Sequence, residues 1–197
     1  YREAGRDMDF RVVRIGLSGL SPTAHYRLGT LIQRVADVLG RRVTYVASGD
    51  LSHKLTKDGP YGFAPEGPEF DRIVCDAFLS GDFLPLLAMS PRLAERAAEC
   101  GLRSFQMMAG ALDQTEIHPE LLSYEGPFGV GYAVAAFTPC GPERSCPKRD
   151  YLNVYEKART HEQSERRASE DPYVRLARLS LETHVRDGGR VRLPDDL

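Results

Sequence analysis

Val43-Thr44-Tyr45-Val46-Ala47-Ser48-Gly49-Asp50-Leu51-Ser52-His53 runs from a β-branched apolar segment into a turn crowded with polar side chains. Val43 to Ala47 reads as a strand, being short, apolar and β-branched. Upstream, Phe10 to Leu17 (FRVVRIGL) reads as a buried strand on the same grounds. Between the two, Ser21 and Pro22 open a helix as a capping residue and a first-turn proline. Its apolar positions Leu28, Leu31, Ile32, Val35 and Leu39 recur at helical spacing, and Gly40 ends it. Strand, helix and strand with short joints make a βαβ unit, so the expectation is parallel strands and a right-handed crossover.

Downstream of His53, residues 54–67 form a polar loop rich in glycine and proline. Helices are predicted at Pro68 to Leu79, Phe83 to Ala88, Pro91 to Ala98 and Gly101 to Leu112, with Pro85 and Pro91 as punctuation. Two extended runs follow, Glu116 to Ser123 and Gly129 to Phe137, joined by Glu125-Gly126-Pro127. The second (GVGYAVAAF) carries the small residues a strand needs where a backbone or ligand comes close. Composition shifts at Thr138 into TPCGPERSCPKRD, which has no apolar periodicity. Tyr151 to Ala168 then reads as a charge-rich helix and Asp171 to Val185 as another, capped by Asp171 and Pro172. The division drawn is 1–140, a linker and charged helix at 141–170, and 171–197 as the opening of a second domain.

The 197 residues include 42% hydrophobic and 27% charged side chains, and the formal net charge is -2. That balance suits a folded globular chain rather than a disordered one. It also argues against nucleic-acid binding through overall basicity. No apolar run approaches the ~20 residues that span a bilayer. Four cysteines without dense spacing make no disulfide scaffold, so a reducing cytoplasm is the expected compartment. The chain starts at Tyr1 with a strand signal close behind, and the expectation is that it is a fragment.

The chemistry concentrates where the second strand ends. Asp50, Ser52 and His53 fall within four residues, and ligands of open α/β sheets bind at the carboxyl ends of strands. An imidazole with an unperturbed pKa of ~6.5 suits acid/base work there. The alternative is a turn in which Asp50 and Ser52 cap the backbone and His53 is solvated. A second segment, Glu99-Cys100-Gly101, precedes a helix. Glu99 is a metal ligand or a carboxylate capping the helix N-terminus, and Cys100 is a ligand or a small buried hydrophobe. His25, His118, His161 and His184 read as surface residues. Cys140 and Cys146 do not have zinc-ribbon spacing.

ASGDLSHKLTKDGPYGFAPEGPEFD (Ala47 to Asp71), ECGLRSFQMMAGALD (Glu99 to Asp113) and LLSYEGPFGVGYAVAAF (Leu121 to Phe137) resemble the later half of the class III extradiol dioxygenase, LigB-like domain, and within it the Memo-like branch. DPYVRLARLSLETHVRDGGRV (Asp171 to Val191) resembles the opening of the AMMECR-type domain of AmmeMemoRadiSam proteins. The resemblance implies a three-layer α/β/α sandwich with a mostly parallel central sheet, incomplete here, followed by the start of an α+β domain. It implies a non-haem Fe(II), a small aromatic substrate, and His53 as acid/base beside Asp50 and Ser52. Glu99 falls where the dioxygenases place a carboxylate ligand, and Cys100 where Memo-like proteins place a cysteine. The two metal-binding histidines of the family lie upstream, and this chain has no histidine before His25. The alternative implied is a non-catalytic metal- or peptide-binding protein partnering a radical-SAM protein. Strands at 10–17 and 43–47 lacking neighbours would leave apolar surface exposed.

Overall fold

The structure is a computed structural model that describes residues 10–141 and 149–191, with the backbone of 2–3 and 6–7. The chain divides into two units, Tyr1–Tyr151 and Leu152–Leu197.

In the first unit, Ser21 accepts a hydrogen bond from the Ala24 amide and Pro22 follows in the first turn. This fixes the start of α1 (Pro22–Val38). α1 buries His25, Tyr26, Gly29 and Ala36. Four helices come next: α2 (Glu66–Ser80), α3 (Leu84–Ala88), α4 (Pro91–Ala97) and α5 (Leu102–Ala111). Gly81, at φ 67°, ends α2 in the left-handed region that glycine enters without strain. Short antiparallel strands β1 (Arg2–Glu3) and β2 (Arg6–Asp7) pair with each other. β3 (Ile117–Glu125) and β4 (Tyr132–Pro139) form an antiparallel hairpin whose register shifts between Leu121 and Ser123.

The core lies between α2, α3, α5 and the hairpin. Phe78 meets the Phe105 ring at 5.2 Å and the Phe137 ring at 5.6 Å, and Phe83 meets Phe137 at 5.1 Å. These edge-on contacts are the favoured aromatic geometry and add about 0.5–1.5 kcal/mol each to area burial. Val74 on α2 and Leu86 and Leu87 on α3 are also fully buried.

The helices and the two later extended runs lie close to their sequence-predicted bounds, and the chain is of mixed α/β class. The two early strands are corrected. Phe10 to Leu17 and Val43 to Ala47 join no strand ladder, and the parallel βαβ unit is absent among the described residues. Val13 is 83% exposed and Val46 79%, so neither run is buried. Strand propensity describes a side chain's fit to a pleated neighbour, and among the described residues no neighbour pairs with either run. The outer side of α1 shows the same pattern: Leu28, Leu31, Val35 and Leu39 are exposed.

The second unit carries α7 (Pro172–Asp187) and most of α6 (Tyr151–Ala168). Asp171 caps α7 by accepting from the Tyr173 amide. Arg178 pairs with Glu170 at 2.8 Å and Glu182 at 3.3 Å. No described helix is long and apolar enough to cross a membrane.

Candidate metal centre

The turn at residues 50–53 is held from three sides. The Leu51 amide donates to the Gly131 carbonyl at 2.9 Å, and the Gly131 amide donates back to Ser52 at 2.8 Å. The His53 amide donates to the Ala97 carbonyl at the end of α4. The Ser52 hydroxyl donates to that same carbonyl and accepts from the Lys54 amide, each at 3.0 Å. Ser52 is fully buried, and the described partners of its hydroxyl are both backbone groups.

A second approach brings the α5 entry to this turn. A Cβ on Gly49 would lie 2.3 Å from the Gly101 Cα, and one on Gly101 would lie 2.9 Å from the Asp50 carbonyl. The two glycines therefore let the backbones touch. That contact sets Cys100 against Asp50, whose amide lies 3.2 Å from Sγ. Cys100 Sγ, a carboxylate oxygen of Asp50 and a ring nitrogen of His53 lie within 4.8 Å of one another. Nε2 of His53 is sealed from solvent without a hydrogen bond, and Asp50 Oδ2 lies 3.5 Å away. Tyr61 stacks on the His53 ring with centroids 5.1 Å apart.

Glu99 is placed differently. Its Oε2 accepts from the Leu102 amide at 2.6 Å, in the first turn of α5. Burial raises the Glu99 pKa above the ordinary carboxylate range, against the opposing pull of the Leu102 amide and Arg103. A raised carboxylate pKa makes the charged form costly in the fold. Its stabilising contribution is complete below the unfolded value, near ~4.3, and is lost as pH rises through the folded one. Glu99→Gln keeps an oxygen for Leu102 and removes the charge. Urea midpoints at pH 4 and pH 7 are therefore expected to show the glutamine variant gaining on wild type at the higher pH.

Asp71, Tyr124 and Tyr61 had no place in the sequence-derived site. Asp71 is 1% exposed on α2, and its Oδ1 accepts from the Ser52 amide at 2.7 Å. Its Oδ2 accepts from the Tyr124 hydroxyl at 2.7 Å. Hydrogen bonds to a charged group contribute about 1.5–3 kcal/mol each, which offsets part of the desolvation cost. Burial still leaves the Asp71 pKa raised. The signal was present in the sequence: Asp71 shares the buried face of α2 with Gly67, Phe70, Val74 and Phe78.

His25 is another correction. It is 3% exposed rather than a surface residue, with Nδ1 at 3.0 Å from the Ser21 carbonyl and Nε2 at 3.3 Å from the Ser18 hydroxyl. His118, His161 and His184 are exposed. Cys140 is a free thiol, and Cys146 lies outside the described residues.

A mixed α/β unit that gathers a thiol, an imidazole and a carboxylate at the junction of two loops has the form of a candidate metal centre. Residues 4–135 match the family described as the catalytic LigB subunit of aromatic ring-opening dioxygenase, and the chain belongs to that family. It is also similar to a Clostridium acetobutylicum protein, Protein CA_C1420, at 34% identity over 188 residues. The match covers 95% of this chain and 39% of that protein, so the chain spans about two-fifths of the relative's length.

Proposed function

We propose that the chain supplies one wall of a non-haem metal cleft in an extradiol-dioxygenase-like oxidoreductase acting on a small aromatic substrate in the cytoplasm. The observation that carries this reading is the orphaned, buried Nε2 of His53 beside Asp50 and Cys100. The sulfur and oxygen donors of Cys100 and Asp50 fit a divalent transition metal, with the thiolate favouring a softer ion than an all-oxygen set would. Fe(II) is the ion that the LigB resemblance supplies, and when bound it would activate O2 for ring opening. Cys100 and Asp50 are the ligands from this chain. His53 holds and moves a proton at Nε2, with an Asp50 carboxylate oxygen 3.5 Å away. Tyr61 covers one side of that ring. In this reading the unpaired runs at 10–17 and 43–47 belong to the parallel sheet of a three-layer sandwich, and residues 171–197 open an AMMECR-type domain.

The test loads the full-length protein anaerobically with Fe(II), adds a catechol and O2, and follows oxygen uptake and ring-opening absorbance. Turnover is expected, and His53→Ala should lower it by about 100-fold or more while bound iron stays unchanged. Absence of oxygen uptake by iron-loaded wild type would sink the ring-opening reaction. Loss of iron from His53→Ala would make His53 a ligand and end its acid/base role.

A second reading draws on Cys100. A thiol in place of a carboxylate favours a Memo-like protein that binds metal or a peptide without catalysis, serving a radical-SAM partner. Stable metal binding without oxygen uptake, together with recovery of such a partner, would select it.

A further inference from the structure

We propose that Asp71 is a positioning residue for this site: a carboxylate the metal does not touch fixes the turn that aims Asp50 and His53. The inference rests on the metal-cleft reading and extends it to a residue outside the donor group. Asp71 is the only carboxylate among the described residues that is buried. Its two oxygens take one donor each, from different elements: Ser52 in the turn and Tyr124 on β3. The Ser52 amide lies between Asp50 and His53 in sequence, so its direction sets how both side chains leave the backbone. Gly131 leaves room for this bridge, since a Cβ there would lie 2.0 Å from Asp71 Oδ2. The same Gly131 makes the two backbone bonds that pin Leu51 and Ser52. Carboxylate, hairpin and turn thus form one brace, and cutting it at Asp71 frees the Ser52 amide.

Co(II) is the probe, read by its thiolate charge-transfer band and by competition with a chelator. Asp71→Ala is expected to weaken Co(II) binding by about tenfold or more and to alter the band, the size of effect seen when an outer partner of a metal site is removed. Asp71→Asn offers an oxygen to Ser52 and an amide group to Tyr124, and should restore most of the affinity and the wild-type band. Val74→Ala, on the same buried helix face, is the control for stability loss: its melting temperature should fall while the Co(II) band holds. Wild-type Co(II) binding by Asp71→Ala would overturn the proposal, as would affinity losses in both alanine variants that track their melting temperatures.

Amide exchange without metal separates this inference from the metal reading. Asp71→Ala should speed exchange at Ser52 and His53 beyond the change seen in Val74→Ala. If wild type binds no Co(II), the metal reading fails, and exchange alone then decides the brace. Unchanged exchange at these two amides would refute it.

Discussion

Replacing Gly110 with alanine is expected to destabilise the chain by about 3 kcal/mol, the upper part of the range for overpacking. A Cβ on Gly110 would lie 1.9 Å from the Tyr26 carbonyl oxygen and 2.8 Å from its carbon. The contact is reciprocal, because a Cβ on Gly29 would lie 1.9 Å from the Met107 carbonyl oxygen and 2.7 Å from the Ala111 nitrogen. α1 and α5 therefore cross backbone to backbone at a pair of glycines. Neither obstacle is a flexible side chain that could swing aside. A methyl must push the helices apart, opening space around the fully buried Tyr26, whose hydroxyl donates to Asp113. Helix propensity alone predicts the opposite sign, since alanine improves a helix by about 1 kcal/mol over glycine. Urea denaturation decides: the midpoint should fall markedly with an unchanged slope. Stability equal to or above wild type would show that α1 and α5 separate at no cost. Because α5 begins just after Cys100 and Gly101, the same variant should also weaken Co(II) binding.

Much of the helical organisation is legible in the sequence because its signals are local. Ser21-Pro22 and Asp171-Pro172 carry capping chemistry in the chain itself, and the helices start there. The β3 and β4 runs were legible as extended segments either side of Glu125-Gly126-Pro127, though their antiparallel pairing was not. The runs at 10–17 and 43–47 look equally strand-like, yet pairing is a property of two segments and a single run cannot report it. The site divides the same way. Asp50, Ser52 and His53 stand out through proximity in sequence. Cys100 meets them through a glycine–glycine approach fifty residues away, and Asp71 through a helix face. A one-residue choice between Glu99 and Cys100 has no local signal, because both side chains suit the entrance to a helix.

Geometry now separates these two neighbours, and the separation predicts which one the metal needs. Glu99 spends Oε2 on the Leu102 amide at 2.6 Å, while Cys100 Sγ lies in the group with Asp50 and His53. Cys100→Ser is therefore expected to weaken Co(II) binding by more than tenfold, or at least about 1.4 kcal/mol, and to abolish the thiolate charge-transfer band. The hydroxyl is a harder donor that does not ionise near neutral pH, so it replaces neither the softness nor the charge of the thiolate. Glu99→Gln retains an acceptor for Leu102 and should bind Co(II) as wild type does. The dependence on pH has a defined sign. Metal binding must displace the thiol proton, so affinity should fall as pH is lowered in wild type and in Glu99→Gln alike. In Cys100→Ser that thiolate-linked part of the slope should vanish. The reverse pattern, with metal lost from Glu99→Gln and kept by Cys100→Ser, would move the ligand back to the carboxylate and leave Cys100 as a packing residue at the turn.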